Sequence, residues 1–439
     1  MTFPKSFQVG GSGSPSQVIK NLTAAYVVQP LDNGIVIRAI SGSGSITLPV
    51  CSVVGVGFGF TFINDSASNI PLIRVSPDTF SDTSTSWSIG IGQSVRVMVT
   101  DASLTVGKWK IMQVSGSATG AGSIAIGYSA GASGASSLAI GYTANANSNA
   151  SLSIGYASIA GANYSTAIGL NSSQGGSVTS SGTAAMALGG SYASGTDSFA
   201  AANADNTGTY GAQGANSIAI GLQGKVTTSR GLAIGYGPSV TGAGTGGVAI
   251  GYLCQATNSY SVALGGTNNN TTIASGISSY AFGDGSRAVQ QGKYAYSSGN
   301  FSAAADTQQG ILIVRASTTD ATATVATSDG AAASTTNQVI LTDNQSMTFN
   351  ALITARQNTT GDTAAWNVSG CIKRGSGAGT TALVGTAVSL ASGADTGAAT
   401  WTAVCTADTT NGGLKITVTG QAAKTIRWSA TVYTNELAG

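Results

Sequence analysis

A six-residue phrase recurs through the middle of this chain: Ser123-Ile-Ala-Ile-Gly-Tyr128, Ser137-Leu-Ala-Ile-Gly-Tyr142, Ser151-Leu-Ser-Ile-Gly-Tyr156 and Ser165-Thr-Ala-Ile-Gly-Leu170. Its fourth residue marks the period, because Ile126, Ile140, Ile154 and Ile168 lie 14 residues apart. The marker then falls on Leu188, Ala201, Ile220, Ile234, Ile250, Leu264, Phe282 and Tyr296, with 14 still recurring and the longer intervals carrying insertions. A short, fixed period builds a solenoid, in which each unit buries its apolar face only against its neighbours. Such a rung is too short for a helical hairpin and holds two short strands and two tight turns. Strand alternation puts Ile124 and Ile126 on one face, and Ala125 and Gly127 on the other. The second half-rung, Ala130-Gly-Ala-Ser-Gly-Ala-Ser136, is small throughout and lets a neighbouring sheet or chain come close.

The Ser-x-Ala-Ile-Gly phrase, followed by Ala-x-Ala-x-Gly, resembles the head repeat of trimeric autotransporter adhesins, a module also found in bacteriophage tail fibres. The resemblance runs from Ser123 to about Gly299. It implies a left-handed parallel β-roll, three copies of which pack about a common axis. Rungs of Ala, Ser and Gly bury little apolar area, so neighbouring copies are needed to cover them, and a homotrimer is expected. The isoleucine face is expected to fill the roll and the Ala/Gly face to approach the axis.

Composition removes several classes. Charged residues are 8% of the chain, against about 25% in ordinary domains. Disorder normally needs high charge or much proline, and collagen needs glycine at every third position; neither holds here. The net charge of +2 is spread thinly, so no nucleic-acid partner is expected. No run of apolar residues is long enough to span a bilayer, and Met1–Gly11 lacks a signal-peptide core, so no membrane insertion is expected. The chain has no histidine, and Glu436 is its one glutamate. The roll carries only Asp197, Asp205 and Asp284, too sparse for the paired carboxylates of a glycosidase. Cys51, Cys254, Cys371 and Cys405 lack metal-ligand spacing and read as isolated thiols, although Cys371 and Cys405 suit cross-sheet neighbours. No enzyme activity, metal or cofactor is expected.

The fold class expected is all-β in four stretches. Residues 1–22 read as an N-terminal arm and 23–115 as a small β module. Residues 116–300 form the β-roll, and 301–439 an antiparallel β-sandwich at the tip. In the module, alternating runs such as Phe58-Gly-Phe-Thr-Phe-Ile63 and Ser94-Val-Arg-Val-Met-Val99 are strands, and Asp32-Asn-Gly34 is a turn. Its turns and the closing Gly107-Lys-Trp-Lys110 resemble small β modules of phage tail fibres. Tyr294 to Arg315 resembles the domain that follows the repeats in such fibres. In the sandwich, Trp366, Val368 and Ile372 share a face, as do Ile426, Trp428, Ala430 and Val432, and these tryptophans read as core. Asp65, Asp78 and Asp343 read as turn caps.

The expected function is adhesion, by a homotrimeric phage tail fibre assembled in the host cytoplasm and carried on the virion tail. The N-terminal region is expected to engage a tail or baseplate protein, and the C-terminal region a host surface saccharide. Two loops are the candidate receptor contacts: Lys373, Arg374 and Ser376 in one, and Asp408, Thr410 and Asn411 in the other. The outer insertions at Asn171–Thr183, Asn203–Asn216, Ser239–Gly246 and Thr267–Ile277 are the competing contacts. A bacterial trimeric surface adhesin is the alternative, and a tailspike-type polysaccharide hydrolase ranks third.

Overall fold

The computed structural model describes residues 18–41, 44–81, 84, 86–90, 93–103, 105–170, 178–202, 208–242, 244–268 and 270–439. Apart from one helical turn at Cys51–Val54 and three 3-10 turns, the described residues are strands and connections. The chain divides into two compact units, 1–170 and 171–439.

In the first unit the chain shuttles between two sheets. Ile19–Leu22, Val36–Ala39 and Gly59–Asn64 stack in parallel in one. Tyr26–Val27, Ile46–Thr47 and Ile70–Ile73 do so in the other. The Asp32-Asn-Gly34 turn is present, with Gly34 at φ 78°, but the strands flanking it join different sheets. The module is therefore an irregular coil, closed by the antiparallel strands Ser94–Asp101 and Lys108–Ser115. Both sheets turn their apolar residues onto one core, Phe60, Phe62, Phe80 and Trp109 from the first and Ile46, Ile70 and Leu72 from the second. The sheet reaches back to Ile19, inside the stretch expected as an arm; residues 1–17 of that arm lie outside the described residues. Asp78 is no turn cap. Its buried carboxylate accepts the backbone N–H groups of Cys51 (2.5 Å) and Gly107 (3.0 Å), tying together segments distant in sequence.

From Ser117 the same shuttling tightens to the 14-residue rung. Ile124 stacks on Leu138 and Leu152, Ala125 on Ala139 and Ser153, and Ile126 on Ile140 and Ile154, all in parallel register. Two-residue strands such as Gly131–Ala132 and Asn145–Ala146 stack likewise in the opposing sheet. The corners use non-glycine residues at positive φ, namely Ser129, Thr143 and Ala157 at one and Ser136, Ala150 and Tyr164 at the other. Glycine serves a different need. A Cβ on Gly141 would stand 2.3 Å from the carbonyl oxygen of Gly155 in the next rung. Several of the serines that open a phrase brace the preceding turn, as in Ser151 Oγ to the Ser148 carbonyl (2.6 Å) and Ser165 Oγ to that of Ala162 (2.7 Å).

The expected facing of the rungs is reversed. Ala125, Ala139, Ser153 and Ala167 fill the roll, opposite Ala132, Ala146 and Ala160. Ile124 and Ile126 point outward and are 54% and 45% exposed. The two sheets of so short a rung lie close together, so in the first unit small groups fill the space between them, and in the second unit Val226 and Val240 fit inside where Gly231 and Gly247 leave room. Ser153, which replaces alanine inside, comes with a partner: its Oγ meets Ser158 Oγ at 2.7 Å.

The second unit repeats this rung through residues 178–298 and then changes architecture. Residues 171–177, 203–207, 243 and 269, parts of the expected insertions, lie outside the described residues. The last roll strand, Tyr294–Ser298, pairs antiparallel with Thr307–Thr318, so the roll's sheet continues into the sandwich. Beyond it lie Ile426–Ala438, Gln345–Gln357, Thr363–Arg374 and Val388–Ala394 in that order. Thr324–Val325, Val339–Ile340, Gly413–Thr419 and Thr402–Asp408 form the opposing sheet. Between them lie Met347, Phe349, Ile353, Ile416, Trp401 and Trp428, with Trp366 half-buried and stacked on Trp428 at 5.6 Å. The antiparallel sandwich is as expected, and all four cysteines are free thiols.

A buried polar cluster fastens roll to sandwich. Lys293 Nζ, in the last rung, lies 2.8 Å from Glu436 Oε1 on the final strand. Gln308 Nε2 donates to Glu436 Oε2 (2.7 Å) and Thr434 Oγ1 to Oε1 (2.8 Å). Asp306 caps the connection by accepting the N–H groups of Phe301, Ser302 and Ala303.

Candidate receptor-binding surfaces

The most extended feature is apolar. In the first unit two outward columns run up the roll, Ile124-Leu138-Leu152-Thr166 and Ile126-Ile140-Ile154-Ile168. Beside them the rings of Tyr128, Tyr142 and Tyr156 stack at 5.2 and 5.1 Å. In the second unit equivalent columns run from Met186 and Leu188 to Tyr280 and Phe282. Tyr294 and Tyr296 extend them, and Tyr294 sits opposite Ile311 and then Tyr433 in the sandwich sheet. Within each unit, exposed apolar columns of this length are the kind of patch found at contact surfaces.

The two loops chosen from the sequence do meet. Arg374 Nη1 donates to the Leu341 carbonyl (2.7 Å), and the Leu341 N–H donates to the Gly412 carbonyl (3.0 Å). Within the pair, however, two residues are committed. Arg374 is 17% exposed and forms an ion pair with Asp343 at 2.7 Å. Asp343, expected as a cap of its own turn, also accepts the Gly377 N–H and so ties that turn to the loop that carries Arg374. Asp408 is buried and accepts the N–H groups of Thr410 (2.9 Å) and Asn411 (3.1 Å) and the Asn411 side-chain amide (3.0 Å). Burial pushes the Asp408 carboxyl up, but these hydrogen bonds outweigh it and hold the group below the usual range. Lys373, Ser376 and Thr410 are exposed, and they are the groups these loops offer to a ligand.

A second site escaped the sequence reading. On the outer face of the sandwich sheet Arg356 and Arg427 are direct cross-strand neighbours, and Arg315 stands opposite Ser429 one strand away. With Ser317, Thr354 and Ser429 they line a groove of about 560 Å³ whose apolar part is Ile313, Ala316 and Trp428. Alternation puts each arginine outward, so their exposure was legible. Their convergence was not, because it depends on strand order.

The carboxylates of the roll stand apart from one another in sequence. Asp197 occupies a corner at positive φ and Asp284 accepts from Thr267 Oγ1 (2.9 Å), while Asp205 lies outside the described residues. Among the described residues no cluster of His, Cys, Asp or Glu suits a metal ion, and no helix is long and apolar enough to cross a membrane. Burial pushes the Cys254 thiol up to about 11 and that of Cys405 up to about 12, which makes both poor nucleophiles.

The repeats have known relatives. Residues 118–144, 146–172, 212–237 and 243–267 match the family model of the YadA head domain repeat. The repeat region is a YadA-like β-roll, of the kind that builds adhesin-type fibres. No curated protein sequence matches the chain.

Proposed function

We propose that this chain is a homotrimeric adhesive fibre, a bacteriophage tail fibre whose N-terminal region docks on a tail or baseplate protein. The observation that carries the trimer is the pair of outward apolar columns. Ile124 and Ile126 are half exposed in one chain, and burying such a strip against two further copies removes it from water. Three copies would give weak receptor contacts avidity. In this reading Lys373, Ser376, Thr410 and Asn411, at one end of the sandwich, touch a surface saccharide, with Arg374 and Asp408 holding their loops. The resemblance of the N-terminal turns and of Tyr294 to Arg315 to tail-fibre modules favours the virion, with no catalytic step assigned.

The YadA head match favours a second reading, a bacterial trimeric surface adhesin. Light scattering on the purified chain tests the trimer, and a stable particle of about 43.1 kDa would refute it. Immunogold labelling separates the two settings: label on virion tails supports the fibre, and label confined to a bacterial surface supports the adhesin.

A further inference from the structure

Three positive side chains converge on the sandwich without counter-charges. Arg315, Arg356 and Arg427 are exposed, and among the described residues none of them forms an ion pair. Arg315 is aimed by its own contact, Nη2 donating to the Asp329 carbonyl at 3.0 Å. Arg356 and Arg427 face each other directly across two hydrogen-bonded strands, an arrangement that destabilises a sheet. In a chain with only 18 lysines and arginines, three in one groove is a strong local concentration. Along its strand Arg315 lies four residues past Ile311, the end of the apolar strip, and that spacing is about 13 Å. Ile313, between them on the same face, lines the groove, so the groove adjoins the strip and its arginines stand beyond it. The groove lies at the opposite end of these strands from Lys373, which pairs with Ser346.

We propose that this groove binds an acidic saccharide. The guanidinium forks match the oxygens of a phosphate or carboxylate, and the charge they neutralise relieves the Arg356–Arg427 repulsion. Ser317, Thr354 and Ser429 supply hydrogen bonds to sugar hydroxyls, while Ile313 and Ala316 give the ring an apolar floor. The groove names the class of receptor and rests on the adhesive reading above.

The test uses the full chain against three immobilised polymers: a phosphomannan, polygalacturonate and neutral dextran. Binding to one or both acidic polymers, weakened by salt, and not to dextran is expected; the acidic polymer that is held identifies the oxyanion. Arg356→Gln/Arg427→Gln should weaken that binding by about tenfold per guanidinium. Arg356→Lys/Arg427→Lys should fall between, because lysine keeps the charge and loses the fork. Without ligand the glutamine pair should melt no lower than the wild type, and adding the acidic polymer should raise the melting temperature of the wild type alone. Equal binding by wild type and glutamine pair, or no binding to either acidic polymer, overturns the proposal. Host-cell binding by the same proteins separates the two claims. Cell binding that survives the glutamine pair refutes the groove and leaves the adhesive fibre standing; arginine-dependent polymer binding without cell binding does the reverse.

Discussion

Lys293→Met removes the cation paired with Glu436 and leaves a carboxylate that is 2% exposed, a perturbation whose sign and size both follow from the structure. Breaking a buried ion pair from one side costs about 3–5 kcal/mol, because the remaining charge stays desolvated. Two contacts survive, from Gln308 and Thr434, which places the expectation at about 3 kcal/mol, the lower end of that range. The pH dependence is the sharper test. In the wild type, burial pushes the Glu436 carboxyl up, but the Lys293 charge and the hydrogen bonds outweigh it and hold it below the usual range. Its contribution is therefore complete above the unfolded carboxyl pKa of about 4.3 and is lost as pH falls through the folded value. Without Lys293 burial dominates and the folded value rises above the unfolded one. The penalty is then present at neutral pH and is relieved on acidification. Urea unfolding followed by the fluorescence of Trp366, Trp401 and Trp428 should show the variant far less stable at pH 7 and closer to wild type at pH 5. Lys293→Met/Glu436→Leu should recover to within about 1 kcal/mol of wild type. A single-variant cost below about 1 kcal/mol at pH 7, or a gap that does not change with pH, refutes the reasoning.

Gly141→Ala should destabilise the first unit by roughly 1–3 kcal/mol, since its Cβ meets the next rung's backbone; urea unfolding that matches wild type would remove the close-approach argument. Ile140→Asp places a charge in the outward column and should leave monomer in place of the proposed trimer by light scattering, with the β-type circular dichroism unchanged; a variant that still forms trimers would show that this face is not the contact. Cys254 and Cys405 should resist thiol reagents at pH 8 while folded and react on denaturation; rapid labelling of the native protein would contradict their burial.

The period alone determined the solenoid. A phrase returning every 14 residues admits one rung of two strands and two turns, and the parallel stacking of Ile126, Ile140 and Ile154 follows from it. Alternation likewise determined which sandwich residues share a face, so Trp428, Ala430 and Val432 lie in the core as read. Alternation says nothing about which of two faces is inside, and that was left to the distance between the sheets. It admits Ala139 and Ser153 and turns Ile140 outward, against the general preference for burying the larger apolar residue. Strand partners, too, are set by three-dimensional packing. For that reason the strands around Asp32-Asn-Gly34 joined different sheets, and Asp78 became a tie between Cys51 and Gly107. The candidate loops were legible because turn residues announce themselves locally. The arginine groove was not, because Arg315, Arg356 and Arg427 come from three separate strands, and only the order Thr307–Thr318, Ile426–Ala438, Gln345–Gln357 brings their charges together.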